Sequence, residues 1–232
     1  MKGEITRMNF EPYLVITETM DHNHPVIRSV VRSLIGEKSQ PKDVLRRLFY
    51  FVRDNCRYNM YKASWNLEDY RASKILQEGE GFCVQKSILL AALARAAEIP
   101  SRFILTAIRN HKTPPEVVAA MGSNLFFPHI FPEFYVDQRW IKLAPTFDKY
   151  LCARINVPTV EFDGENHAIL LPFDFEGNPY IEYVHEYGTF EDIPWDLVSQ
   201  TLPRLYDKTY FEWQGSLNPE VDWKSLGIEV SS

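Results

Sequence analysis

Hydrophobic and polar positions along the first hundred residues repeat with helical spacing. In "HNHPVIRSVVRSLIGE", Val26, Ile27, Val30, Val31, Leu34 and Ile35 fall on one face behind Pro25 in the opening turn, which predicts a helix. "SQPKDVLRRLFYFVRDN" repeats the pattern, with Ser39 as the expected cap, Pro41 in the first turn and Leu45, Leu48, Phe49 and Val52 on one side. "RASKILQEG" predicts a short helix that Gly79 ends. The stretch after Cys83, "VQKSILLAALARAA", is apolar almost all the way round, so it predicts a buried helix that closes before Pro100.

The pattern then changes to strands. "SRFILTAIR" is a strand, and "HIFPEFYVDQRWIKLAP" reads as a hairpin of aromatic and β-branched runs turning at Asp137 and Gln138. Here His129 opens a strand and shares a face with Phe131, Glu133 and Tyr135. Pro132 implies an edge position or an irregularity. Residues 151–190 read as short strands and turns, and "DIPWDLVSQTL" as a last helix capped by Asp192, with Pro194 in its first turn. Helices first and strands later predict an α+β arrangement, without βαβ alternation.

Composition adds exclusions. The 232 residues are 45% hydrophobic and 14% aromatic, enough for a sizeable core, and one domain over 1–232 is expected. Twenty-five Lys and Arg stand against 31 Asp and Glu, a net charge of −6, which disfavours nucleic acid or an anionic membrane as partner. No apolar run approaches the ~20 residues of a membrane span. The first residues carry charges without a long apolar core, so no secretory leader is expected. Three scattered cysteines, Cys56, Cys83 and Cys152, do not form a disulfide framework, and a cytoplasmic protein with free thiols is the expectation.

The candidate chemistry centres on "GEGFC" at the mouth of the buried helix. A helix amino end favours a thiolate, and its free N–H groups can hold an oxyanion. Gly79 and Gly81 would let backbone approach a substrate closely. Cys56 and Cys152 lack this setting and read as packing residues. A nucleophilic thiol needs a base. Among six histidines, His22 and His24 are spaced as metal ligands could be, but no further ligand is near and helix entry explains them better. His111, His167 and His185 lie in loops or irregular stretches. His129 is placed to meet Cys83, although position alone does not separate that role from a half-exposed strand residue. No cofactor or metal is implied.

"ASKILQEGEGFCVQKSILLAALARAAEIPSRFI" and "HIFPEFYVDQRWIKLAPT", with the helical lead-in "VIRSVVRSLIGEKSQPKDVLRRLFYFVRDNCRY", resemble the transglutaminase-like superfamily over about residues 14–150. The resemblance implies a papain-like fold, with a central helix carrying the nucleophile Cys83 and an antiparallel sheet carrying the base His129. Residues 151–232 form a C-terminal extension that resembles a bacterial group of the family. The family's usual aspartate before Pro-Thr is replaced here by Ala144. Asp148, four residues on, takes the expected role of orienting the imidazole, with Asp163 in reserve; in D-G an aspartate is more often a turn residue. Tyr61 and Trp65 are weaker candidates for a place near the oxyanion. The implied activity is acyl transfer through a thioester on a protein, peptide or amide substrate, with hydrolysis favoured over transamidation. A catalytically silent binding module is the rival from another class. The oligomeric state is left open.

Overall fold

A computed structural model describes residues 9–36 and 39–205. Seven α-helices are described: α1 (Pro25–Leu34), α2 (Pro41–Asn55), α3 (Ala72–Glu78), α4 (Cys83–Ala96), α5 (Pro115–Met121), α6 (Lys149–Arg154) and α7 (Trp195–Leu205). The strands are β1 (Arg57–Tyr58), β2 (Glu80–Gly81), β3 (Ser101–Asn110), β4 (Leu125–Val136), β5 (Arg139–Lys142) and β6 (Ile181–Phe190). The fold is α+β. An antiparallel sheet in the order β5-β4-β3-β6 is packed by helices, and a parallel two-residue ribbon, β1-β2, stands apart.

α4 is the axis of the core. Every residue from Cys83 to Arg95 is buried, because α1, α2 and α3 pack on one side and β3 and β4 on the other. This all-round burial is what its uniformly apolar sequence requires. Its polar members are bonded: Ser87 Oγ donates to Ile130 O at 2.8 Å, and Arg95 donates to Ser101 Oγ and O and to Val15 O. No helix among the described residues is long and apolar enough to cross a membrane.

Several expectations need correction. Ser39 does not cap α2; Gln40 precedes it without a side-chain bond. The first arm of the hairpin begins at Leu125, so His129 lies inside β4 rather than at its start. β4 is an internal strand, and Pro132 is the irregularity expected of it: Pro132 O accepts the Leu143 N–H at 3.0 Å, but the proline has no N–H to return, and the pairing with β5 ends at Glu133 with Lys142. β6, from the stretch read as irregular, is a ten-residue strand paired along β3, so the main sheet draws on residues of the C-terminal extension. Asp192 does not cap α7 from its first turn; it binds Thr19 Oγ1 at 2.8 Å and the Ile193 N–H at 2.7 Å.

Candidate active site

Cys83 is the first residue of α4; Phe82 before it offers no side-chain cap, and the Cys83 and Val84 N–H groups are directed at the Cys83 sulfur. The glycines shape the approach to the helix, and Gly79 ends α3 as expected. Gly79 adopts φ +67° as the left-handed end of α3, where its N–H reaches Ile75 O. A Cβ on Gly81 would lie 2.9 Å from Gln85 Cβ. Gln85 Oε1 accepts the Phe82 N–H at 3.2 Å, while its Nε2 donates to Asp69 O at 2.9 Å. The glycines therefore serve the turn into the helix.

The start of α4 meets the edge of β4. β5 pairs only with Glu133–Val136, which leaves the earlier part of β4 without a strand on that side. There Cys83 Sγ lies 4.0 Å from Pro128 O, and the Ile130 N–H is directed at the same sulfur. The thiol is thus bracketed by the backbone on either side of His129. The imidazole shares a face with Phe131 (ring centroids 6.2 Å apart) and Tyr183 (6.1 Å). His129 Nε2 is buried with no hydrogen-bond partner among the described residues.

Burial dominates the electrostatics. Cys83 is 8% exposed and its thiol is pushed up to about 12, although the backbone N–H groups of Ile130, Val84 and Cys83 act the other way. His129 is 1% exposed and burial lowers it to about 3. Burial thus shifts both groups toward their neutral forms, in the direction opposite to the acidified thiol that the helix end alone implies. Cys56 and Cys152, raised by burial to about 11, are buried packing residues as expected.

The structure does not join Asp148 to His129. Asp148 Oδ1 accepts the Tyr150 and Leu151 N–H groups at 3.0 and 2.9 Å and caps α6, while Oδ2 accepts the Tyr58 N–H at 2.9 Å. Its oxygens are committed to backbone and it makes no hydrogen bond to the imidazole. Asp163 is exposed and closes a turn on Glu165 and Asn166. Tyr61 and Trp65 are 53% and 39% exposed on the segment before β2. His24 Nδ1 accepts the Val26 N–H at the start of α1, as helix entry requires.

Sequence reasoning missed Tyr183. Its hydroxyl accepts the Leu170 N–H at 3.2 Å, its ring packs on His129 and Phe131, and proximity to Cys83 adds to the burial that raises its pKa. The period-2 run "YIEYVHEY" was the available signal. A surface cleft of about 680 Å³ lies at the far end of α4, between Ile35, Pro100 and Tyr135, and does not reach this centre.

The model of the transglutaminase-like superfamily matches residues 28–145, half the chain. No curated protein matches the sequence significantly. Among solved structures, a candidate cysteine protease from Cytophaga hutchinsonii superposes on 81% of this chain and 56% of its own, at 14% identity and a TM-score of 0.48. A candidate protease from Parabacteroides distasonis covers 57% of this chain and 26% of its own, at 12% identity and a TM-score of 0.40. For a structure described as a TGase the figures are 62%, 34%, 15% and 0.35. The chain thus spans less than two thirds of each of these structures.

Proposed function

The chain belongs to the transglutaminase-like superfamily, and from that premise we propose that it is a cysteine-dependent acyl-transfer enzyme with Cys83 as nucleophile and His129 as base. The observation that carries the reading is the thiol bracketed by Pro128 O and the Ile130 N–H around a buried imidazole whose Nε2 has no partner among the described residues. An unpaired buried nitrogen costs about 1–3 kcal/mol, which a structural histidine would not normally retain.

Because burial favours the neutral form of both groups, proton transfer accompanies attack. Sγ bonds to the carbonyl carbon as its proton passes to the imidazole, and the first-turn N–H groups of α4 hold the oxyanion. The imidazolium then protonates the departing amine and leaves a thioester. Water, losing a proton to His129, attacks the thioester carbon; the C–S bond breaks, the acid departs and His129 returns the proton to Sγ. We favour hydrolysis of an amide or peptide bond because no feature of the site is seen to reserve the thioester for an amine.

The test is turnover of an amide and peptide library with and without a primary amine. Release of amine or ammonia, with none of the added amine incorporated, is expected, and Cys83→Ala and His129→Ala should each lose at least about 10³-fold. Incorporated amine would make the enzyme a transamidase. A second reading, a silent binding module, is favoured by Ala144 and by the commitment of Asp148 to backbone; turnover dependent on Cys83 rules it out.

A further inference from the structure

The approach to Cys83 depends on a very small sheet. β1 and β2 have two residues each, and β2 runs through Phe82 directly into Cys83. Arg57 and Asn59 donate their N–H groups to Gly79 O and Gly81 O at 2.8 and 3.1 Å. The Tyr58 N–H, between them, points to the opposite edge. A third strand would lie there; instead the Asp148 carboxylate takes that N–H at 2.9 Å, and Asp148 is 4% exposed. A two-residue parallel ribbon has little stability of its own, so the groups that hold its edges matter; Asn59 Nδ2 also donates to Glu80 Oε2 at 3.1 Å across it. The same joint is braced from inside. Lys86, one turn beyond Cys83 and fully buried, donates its Nζ to Arg53 O and Cys56 O, where α2 ends and β1 begins.

We infer that Asp148 is a positioning residue for the nucleophile: by holding the Tyr58 N–H it fixes β1 against β2 and so fixes the backbone that presents Cys83 to His129, with Lys86 bracing the same joint. The inference rests on the reading of Cys83 as nucleophile. It places the effect of Asp148 on the sulfur side of the site, whereas an orienting carboxylate would act on the imidazole.

Asp148→Asn separates the two roles. Asparagine caps a helix as well as aspartate does, so α6 keeps its start. With one oxygen instead of two, the side chain cannot accept from both Tyr58 and α6. If the carboxylate acted on the imidazole, asparagine would preserve much of the activity, as Cys-His-Asn sites do. Asp148→Ser, which caps but is too short to reach Tyr58, is the second variant. The readout is a ratio at Cys83. Acylation by p-nitrophenyl acetate needs the base and the oxyanion donors in register, while alkylation by iodoacetamide needs only a reachable thiolate.

Both variants should show a ratio of acylation to alkylation lowered about tenfold, with the midpoint of the acylation pH profile unmoved. Mere loosening would raise both rates together and leave the ratio as it is; an unchanged ratio overturns the inference. A displaced midpoint also overturns it, because the carboxylate would then be acting on His129. If wild-type protein forms no acyl-Cys83, the nucleophile reading fails first and takes this inference with it.

Discussion

At Cys83 two familiar effects oppose each other, and burial is the larger. The helix end and three backbone N–H groups favour the thiolate, yet the site is almost wholly removed from water and the thiol rises to about 12. Iodoacetamide labelling of Cys83 should therefore be slow at pH 6 and keep rising beyond pH 8. A plateau reached near pH 6, measured by peptide mapping, would mean that a thiolate–imidazolium pair exists before substrate binds. Lys86 meets the same opposition and is lowered by burial to about 8, with the charge of Asp148 acting against the shift. Its two carbonyl acceptors give the amine donors a use in either protonation state.

At the scale of elements, the junction of β2 with α4 is the least tolerant point. A methyl on Gly81 would press on Gln85 Cβ at 2.9 Å, and Gln85 bridges the Phe82 N–H to Asp69 O. The backbone atoms that would yield are those that present the nucleophile. Gly81→Ala should cost about 1–3 kcal/mol in urea unfolding, and the surviving folded protein should acylate Cys83 more slowly than wild type. Wild-type stability with wild-type acylation would show that the junction repacks freely. β4 makes the complementary point. Pro132, which takes the Leu143 N–H and returns none, ends the pairing with β5, and on the edge left open before it the first turns of α4 reach Pro128 O and Ile130 O.

For the whole molecule, the buried imidazole ties folding to pH. His129 has a folded pKa of about 3 against an ordinary value of 6.5, so the unfolded chain binds the extra proton between those values. Stability from this group is complete above pH 6.5 and is lost as pH falls toward 3, by up to a few kcal/mol. His129→Leu removes the linkage, and its urea midpoint should fall less steeply than that of wild type between pH 6.5 and 4; parallel falls would place the imidazole in contact with water. Some of this architecture was written locally. The apolar circumference of "VQKSILLAALARAA" could only be a buried helix, the face repeating around Val31 and Leu48 could only pack on it, and the motifs around Cys83 and His129 named the family. Those features depend on neighbours three or four residues away, or on residue types at set spacing, and are readable without a fold. What lay beyond reach depends on partners distant in sequence. Asp148 meets Tyr58 across 90 residues, Tyr183 reaches His129 only once β6 has paired with β3, and Gly81 is small because of Gln85 in the next turn. The charge states of Cys83 and His129 belong to this second group. Helix-end polarity can be read from residue order, but the water excluded from a thiol or an imidazole is set by everything packed around it, and only the assembled structure decides which of the two prevails.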